Sequence, residues 1–477
     1  MLDRPDLLES SPSPLPSSLK LDPARFVRAE RVLGLVGVVA ITFMCGSGGP
    51  LGSESIVAEG GPLVALLGFL LYPLVVTVPY AAVITELCAA FPEDGGFTIW
   101  VMNAFGPFWS IQVGYWSWVA GVMSLAVYPG YVLDTCRRFM TVDIHHGEYF
   151  VKAAIAVVLT LPSLAGTRLI SRSTATLLAI LVLSMTAYSL YGFSHAHASD
   201  RSVLLQTRHR ASNNTTSATD SSSSSPIRWV EILNSLYWNY EGFRMASVFG
   251  GQVRNPAGVY SRAIWIVVGL SVAMYVLPLV ATVVSGSLAW QQFQQGAYER
   301  AALALGGTTL RVLVTASSFA TCIGLFVSGL FACATEIAGM ADNRLLPAAV
   351  ATRNAQFQSP HVAISSTLVT ALGLMLVDAA TLLPVANTFS GLVAIMIFLS
   401  AIQIRRAMPY IPRPSRVPGG VATLVAASVV PVTTSAYITV RACMTSTTSV
   451  LLILGFAAPP LLYAVLRVRR HETLLYR

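Results

Sequence analysis

Charged residues are scarce in this sequence. Asp, Glu, Lys and Arg together make up 11% of its 477 residues, whereas soluble domains contain about 25%. Hydrophobic residues make up 54% of the chain, and the mean hydropathy is +0.65. These values exclude a soluble globular protein and indicate a chain that crosses a lipid bilayer several times.

Clusters of metal ligands or catalytic residues are also missing. The six cysteines and seven histidines form no group with the spacing of a metal site. The apolar segments contain no converging set of nucleophile, base and metal ligands. We therefore expect no metal site, no cofactor and no enzymatic activity.

Short segments of alternating polarity, the pattern of a membrane β-barrel, are absent. The sequence contains instead apolar runs of about 20 residues, which are long enough to cross the bilayer as helices. We predict an all-α polytopic membrane protein with twelve transmembrane helices. The predicted spans are 32–56, 62–86, 109–136, 149–166, 174–193, 229–250, 263–285, 310–338, 361–380, 384–404, 420–440 and 448–466.

The basic residues indicate the orientation of these spans. With the N-terminus inside, the inside segments contain 19 of the 30 Lys and Arg residues, and the outside segments contain 10. Because cytoplasmic loops carry the excess of positive charge, we predict that both termini are cytoplasmic. The net charge of +8 follows from this bias. It favours contact with the lipid bilayer and gives no reason to expect nucleic acid binding.

One predicted outside loop is long and of low complexity. It contains the tract SNNTTSATDSSSSSP, which is too polar to order itself by burying surface. Asn213 and Asn214 each begin a glycosylation acceptor sequence. Glycosylation is one hypothesis for these sequences, and chance occurrence in a Ser/Thr-rich tract is the other.

The first span contains Gly46, Ser47, Gly48, Gly49 and Pro50 at its centre. Glycine and proline both oppose a continuous helix, so we expect the helix to break here. A break frees N–H groups at the start of the second half-helix, where they can hold a polar ligand. The alternative is a glycine-rich packing face with a proline kink.

The sixth span carries Asn239, Glu241 and Arg244 at membrane depth, and Gly242 follows the acid directly. A charged side chain near the bilayer centre costs about 2.5 to 3.5 kcal/mol on insertion scales, so such residues usually face a cavity or a partner. A break in spans 1 and 6, the first helices of two five-helix halves, is the best sequence indication of a transport site at the bilayer midplane.

These predictions divide the chain into a core of two halves with additions at each end. The parts are a disordered cytoplasmic N-terminus (1–31), a first half with spans 1 to 5 (32–193), the low-complexity loop (194–228), a second half with spans 6 to 10 (229–404), two peripheral spans (405–466) and a cytoplasmic tail (467–477).

Seven motifs occur in order along residues 30 to 410. Together they resemble the amino acid-polyamine-organocation superfamily, and within it the polyamine-uptake branch that is similar to L-type amino acid transporters. The resemblance implies an inverted five-plus-five helix core and alternating access. The motifs are SGGPLG (47–52), EGGPLVALLGFLLYPLVVTVPYAAVITELCAAFPEDGG (59–96), FGPFW (105–109), YPGYVLD (128–134), WNYEGF (238–243), GGQVRNP (250–256) and GMADNRLLP (339–347).

The resemblance also implies a substrate site. Polyamines carry separated ammonium groups, which suit carboxylates and carbonyls with aromatic faces between them, each cation–π contact being worth ~0.5 to 2 kcal/mol. Membrane-interface anchoring is the alternative for the two tyrosines of span 3. The implied site comprises backbone at Gly46, Ser47 and Gly48, walls from Tyr128 and Tyr131, and Trp238, Asn239, Tyr240 and Glu241 of the WNYEGF motif.

Two acids outside this group are candidates for gating or coupling. Glu54 follows the break in span 1 towards the predicted outside, and Glu86 lies at the cytoplasmic end of span 2. Protons or another ion are expected to be coupled to transport, as a symport or with Glu241 exchanging a proton for an ammonium. No feature indicates a partner subunit.

Arg244 departs from the family pattern, which commonly has an acid at this position. It can form a salt bridge with Glu241 three residues earlier, or it can hold the carboxylate of a zwitterion. We therefore predict a plasma-membrane importer of polyamines such as putrescine or spermidine. A permease for cationic or neutral amino acids, or a receptor with a transporter fold, is the alternative.

Overall fold

The computed structural model describes residues 31–140, 147–196, 198–208, 227–445 and 447–475. These ranges are built of α-helices with short 3-10 and π-helical turns. The helices are α1 (Leu35–Gly46), α2 (Ser53–Gly60), α3 (Pro62–Tyr72), α4 (Val78–Ala90), α5 (Phe97–Phe105), α6 (Pro107–Met140), α7 (Glu148–Leu164), α8 (Thr167–Ser194), α9 (Trp229–Tyr240), α10 (Pro256–Val284), α11 (Ala297–Asp342), α12 (His361–Leu374), α13 (Ala379–Ala407), α14 (Val421–Thr445) and α15 (Thr447–Leu475).

Within the described residues, eight helical segments are long and apolar enough to cross a membrane. They are α3–α4, α6, α8, α10, α11, α13, α14 and α15. The shorter helices α7 and α12, together with the two interrupted spans at α1–α2 and α9, make the structure consistent with the twelve predicted spans. The predicted loop residues Asn213 and Asn214 lie outside the described residues, as does most of the predicted N-terminal segment.

Two of the predicted spans are less regular than expected. A π-helical turn at Pro73–Thr77 joins α3 to α4, because Pro73 and Pro79 lack the N–H groups that a regular helix requires. Helix α11 begins well before the predicted residue 310 and changes direction at Gly306 and Gly307, the latter at φ +66°.

The first span is interrupted, as the sequence predicts. Helix α1 ends at Gly46 and α2 begins at Ser53. Between them, Gly48, Gly49 and Gly52 have φ values of +61°, +91° and +86°. Only glycine adopts this left-handed region without strain, so the glycines permit the break.

The sixth span is interrupted one residue beyond α9. The chain continues from Glu241 into a 3-10 turn at Gly242–Ser247 and a shorter one at Gly250–Gln252. The second part of this span is therefore not the α-helix that a predicted span to residue 250 implies. Pro256 then starts α10.

The two breaks lie against each other. A Cβ atom added at Gly242 would lie 2.2 Å from the Gly46 Cα atom and 2.6 Å from the Cys45 carbonyl oxygen. Both nearest atoms belong to the backbone, which cannot rotate away as a side chain can. The absence of a side chain at Gly242 therefore brings the two interrupted spans together.

We expect Gly242→Ala to destabilise the protein by about 1 to 3 kcal/mol, the usual cost of forcing extra volume into a packed interior. A thermal melting experiment on the purified protein would show this as a lower melting temperature. Gly269→Ala is the matched control, because a Cβ at this exposed helical position meets nothing within 4 Å. Equal melting temperatures for the two variants would contradict the close backbone contact.

Backbone hydrogen bonds close the side of the molecule that the sequence assigns to the cytoplasm. The Leu33 N–H donates to the Gln252 carbonyl at 2.9 Å, and the Arg254 N–H donates to the Leu33 carbonyl at 2.8 Å. The Gly95 N–H donates to the Val248 carbonyl at 2.9 Å. The entry to α1, the loop after α4 and the segment after span 6 are therefore joined on this side.

Candidate functional site

A cavity lies between the two breaks and is closed laterally by α6, α11 and α13. Six of the residues that the resemblance singles out line it. They are Gly46, Ser47, Tyr128, Trp238, Glu241 and Arg244. Polar or sulfur-containing residues that the sequence did not single out complete the wall, among them Cys45, Ser124, Cys333, Asn387 and Ser390.

The remaining four residues lie outside this lining. A Cβ at Gly48 would meet Leu325, and Tyr131 is partly buried elsewhere on α6. Asn239 and Tyr240 are buried, and their side chains contact Tyr275 and Phe69 on neighbouring helices. Their predicted part in substrate binding stays a prediction, as does that of the six lining residues.

Tyr275 on α10 holds both interrupted spans. Its hydroxyl group donates to the Ser47 carbonyl at 2.7 Å and lies 3.2 Å from the Asn239 carbonyl oxygen. The Ser47 hydroxyl in turn donates to the Tyr275 oxygen at 3.0 Å. A break in a buried helix leaves carbonyl groups without partners, and the Tyr275 hydroxyl lies within hydrogen-bond distance of one from each span, its single proton going to that of Ser47. In the sequence, Tyr275 is visible only as a tyrosine in an apolar span.

Tyr240 joins an aromatic cluster behind the cavity. Its hydroxyl donates to the Phe69 carbonyl at 3.2 Å, and its ring packs against those of Phe69, Tyr72 and Tyr275. This cluster fixes the orientation of α9 at the residue that directly precedes Glu241.

Glu241 and Arg244 form an ion pair in the cavity wall. The Arg244 side chain is 2% exposed and that of Glu241 is 12% exposed. Arg244 also approaches two hydroxyl groups, with its Nε atom 3.4 Å from Ser117 Oγ and its second terminal nitrogen 3.3 Å from Ser390 Oγ. The salt bridge that the sequence allows is thus present, and Glu241 is the more accessible partner.

A second carboxyl group lies behind Arg244. Glu336 on α11 is 0% exposed, and its Oε2 atom accepts a hydrogen bond of 3.1 Å from the Ser117 hydroxyl. Its Oε1 atom has no hydrogen-bond partner among the described residues. The hydrogen bond from Ser117, which lies 219 residues earlier in the chain, shows that Glu336 faces α6.

The predicted outer acid Glu54 lines a separate, smaller cavity beside the break in span 1. Its Oε2 atom accepts a hydrogen bond of 3.0 Å from the Gly52 N–H. Glu299 lines the same cavity and forms a salt bridge of 3.1 Å with Arg138. The Glu299 Oε1 atom has no hydrogen-bond partner among the described residues. Two carboxylates and one guanidinium group therefore lie close to one another here.

Glu86, the predicted inner acid, is held by two arginines. It forms ion pairs with Arg405 at the end of α13 and with Arg413, the latter at 3.2 Å. The Val417 N–H donates to the same carboxylate at 2.7 Å. All three charged side chains are at least 93% buried. Glu86 thus fastens α4 to the segment that connects α13 with α14.

Asp94, in the loop between α4 and α5, connects several segments on the side that the sequence assigns to the cytoplasm. It accepts a hydrogen bond of 3.0 Å from the Gly251 N–H and lies 3.9 Å from Arg353, which also pairs with Asp342 at 2.8 Å. Burial raises the pKa of Asp94 to about 6, although Arg353 and the Gly251 N–H act in the opposite direction. This loop carboxyl group therefore joins the segments after spans 2, 6 and 8.

Comparison with known proteins identifies the chain's relatives. The family model described as amino acid permease matches residues 33–459. A probable polyamine transporter of Arabidopsis thaliana is 29% identical over 390 residues, which cover 81% of this chain and 77% of the relative. The polyamine transporter PUT1 of Oryza sativa subsp. japonica is 28% identical over 84% of this chain and 72% of its own length.

The fold is similar to that of a solved structure. The crystal structure of MhsT in complex with L-phenylalanine has a TM-score of 0.62 and 14% sequence identity, and the match covers 87% of this chain and 100% of that one. At this identity the likeness concerns the fold alone, and it confirms the predicted helical core with two interrupted helices. The chain is a multi-pass membrane transporter and not an enzyme, and it belongs to the amino acid permease family within the amino acid-polyamine-organocation superfamily, in the branch of the relatives named polyamine transporters.

Proposed function

We propose that this transporter imports polyamines of the putrescine and spermidine type across the plasma membrane by alternating access, coupled to protons, with both termini in the cytoplasm. The observation that carries the proposal is the position of Glu241 in the cavity between the two breaks. A carboxylate at that depth is costly unless it serves a partner, and a substrate ammonium is a second possible partner beside Arg244.

The charges in the cavity wall and directly behind it support a cationic substrate. Glu241 and Glu336 are two acids, and Arg244 is the basic residue placed between them. When both acids are ionised, the group has a net charge of −1, which one ammonium group balances. A neutral or anionic substrate would leave this charge uncompensated in a region where burial makes it expensive.

The walls of the cavity suit the remainder of a diamine. Tyr128 and Trp238 contribute aromatic side chains to the wall of the same cavity as Glu241, and alkylammonium groups bind to aromatic faces with ~0.5 to 2 kcal/mol each. Glu54 and Glu299 line the smaller cavity beside the break in span 1. We propose that they contact a second ammonium group of a longer polyamine as it enters.

A permease for amino acids is the second candidate function. Arg244 lines the cavity, where it can hold a substrate carboxylate while Glu241 receives the amino group. In that case the salt bridge opens on binding, and the zwitterion replaces both halves of it.

Uptake of labelled putrescine into proteoliposomes that contain the purified protein tests the proposal. We expect putrescine to accumulate above its outside concentration when a proton gradient is imposed, and unlabelled spermidine to compete with it. Absence of putrescine uptake, together with uptake of labelled leucine or arginine, would favour the amino acid permease. Binding without any uptake would favour a receptor.

A further inference from the structure

Asn387 on α13 is a polar residue of the cavity wall that the sequence did not single out. It lines the same cavity as Glu241 and is only 7% exposed. None of the hydrogen bonds between described residues involves its carboxamide group. A carboxamide accepts at its oxygen and donates at its nitrogen, and a buried polar group without a partner is costly. The Asn387 side chain is therefore available to a molecule that occupies the cavity.

The serine hydroxyl groups in the same wall have partners within the protein. The Ser47 hydroxyl donates to Tyr275, and Ser390 Oγ lies 3.3 Å from a terminal nitrogen of Arg244. The Ser124 hydroxyl donates at 3.1 Å to a carbonyl group one turn earlier on α6. These bonds use the protons of Ser47 and Ser124 and an acceptor site of Ser390. The carboxamide group differs from them, since both its donor and its acceptor are unused.

Helix α13 places Asn387 close to the ion pair of Glu241 and Arg244. Asn387 and Ser390 are three residues apart, so they lie on the same face of the helix, about 4.5 Å apart along its axis. Ser390 is the residue of this helix whose hydroxyl Arg244 approaches. The carboxamide group and the ion pair therefore lie at neighbouring levels of one cavity, and Asn387 is on the side that the sequence assigns to the outside.

Small residues from three helices also line this cavity. They are Ala120 and Gly121 on α6, Gly329 on α11 and Ala386 on α13. Because their side chains occupy little space, the cavity has room for an unbranched alkyl chain between its polar groups. A diamine consists of such a chain with a nitrogen at each end.

The charges of the wall provide an acid for one end of a diamine. Among the described residues that line the cavity, Glu241 is the acid and Arg244 is the base. If one ammonium group binds to Glu241, the other depends on neutral acceptors. A carboxamide oxygen is a suitable one, because hydrogen bonds in which one partner is charged are stronger than those between neutral groups.

We propose that Asn387 binds the second nitrogen of a diamine. Its Oδ1 atom accepts a hydrogen bond from that ammonium group while Glu241 holds the first one. Asn387 is thus a specificity-determining residue, which favours diamines over amines with a single nitrogen. The inference rests on the proposed function, and it adds a second binding group to the same site.

Comparison of putrescine with butylamine tests the inference. Butylamine has the same carbon chain as putrescine but only one nitrogen, so the comparison is a double-mutant cycle in which one of the two changes is made in the ligand. Isothermal titration of the purified full-length protein would measure both affinities. Asn387→Leu removes the acceptor at similar volume, and it should weaken putrescine binding about tenfold or more while butylamine binding stays the same.

Asn387→Asp tests the same contact in the opposite direction. It places a carboxylate where the second ammonium group is expected, so the ratio of putrescine affinity to butylamine affinity should rise about tenfold. This variant keeps the inference testable if Asn387→Leu does not fold. Asn103→Leu is the matched control, because Asn103 is an exposed asparagine on α5, and both affinities should remain at their wild-type values.

The outcomes separate this inference from the proposed function. If Asn387→Leu weakens the binding of both amines equally, Asn387 supports the structure of the site and the inference is wrong. If neither Asn387 variant changes the affinity ratio, Asn387 does not contact the second nitrogen, although polyamine transport can still hold. If Asn387→Leu weakens leucine binding instead, the carboxamide group holds a carboxylate, which also contradicts the inference. If the wild-type protein binds neither amine, the proposed function itself fails.

Discussion

Glu241→Gln is expected to reduce putrescine uptake on the order of 100-fold or more. The change removes the carboxylate that we assign to the substrate ammonium, and truncating one partner of a buried charge pair costs about 2 to 5 kcal/mol, where each 1.4 kcal/mol corresponds to a factor of ten in affinity. Initial rates of labelled putrescine uptake, together with the amount of protein at the membrane surface, would measure this effect.

The expected loss has a structural alternative, because the change also leaves Arg244 without its ion-pair partner. The double variant Glu241→Gln and Arg244→Gln removes both charges, so it should regain thermal stability without regaining uptake. Glu231→Gln is the matched control, since Glu231 is an exposed acid in the first turn of the same helix. Normal uptake by Glu241→Gln would remove Glu241 from the binding site.

Arg244→Asp is expected to tighten polyamine binding by about tenfold or more. The change removes the cation that competes for Glu241 and adds a second carboxylate at the position where the family commonly carries an acid. One additional charge-assisted contact contributes about 1.5 to 3 kcal/mol, part of which is spent on burying the new acid. Isothermal titration with putrescine and spermidine would measure the change.

Arg244→Gln separates the two contributions of this substitution. It frees Glu241 without adding a charge, so its affinity for putrescine should lie between those of the wild-type protein and Arg244→Asp. Weaker binding by both variants would show that Arg244 serves the structure of the site, as its 2% exposure and its contacts with Ser117 and Ser390 would allow. If these two variants lose uptake of leucine while their binding of putrescine is unchanged, the result would indicate the amino acid permease.

The breaks in spans 1 and 6 could be predicted because their causes are local. Three glycines and a proline within residues 46–50 prevent a continuous helix whatever surrounds them, and the structure shows left-handed φ values at Gly48 and Gly49. The close approach of Gly46 to Gly242 follows from the pairing of the two halves. The 3-10 form of the chain from Gly242 to Ser247 was not predicted, since an apolar run does not by itself show whether a short segment takes the α or the 3-10 form.

The direction of each side chain explains which predicted site residues reach the cavity. Residues three or four apart share a helix face, and adjacent residues point in different directions. Trp238 and Glu241 are three apart and both line the cavity, whereas Asn239 and Tyr240 between them point to neighbouring helices. When all consecutive residues of a family motif are assigned to the site, some of them therefore lie on a helix face that does not reach the cavity.

The contacts of Glu336 and Tyr275 could not be predicted from the sequence. Ser117 meets Glu336 across 219 positions, and Ser47 meets Tyr275 across 228. Such pairs depend on the packing of whole helices, which no local pattern specifies. The acid and the tyrosine were visible as polar residues in apolar spans, but their partners appear only when the halves are assembled.

A structure of the protein determined with bound putrescine would test the central claim most directly. We predict that the diamine lies in the cavity between the two breaks, with one amine nitrogen at hydrogen-bond distance from the Glu241 carboxylate and with Arg244 turned away from that acid. Putrescine bound elsewhere, or a first or sixth span that runs through the membrane as a continuous helix, would contradict this account.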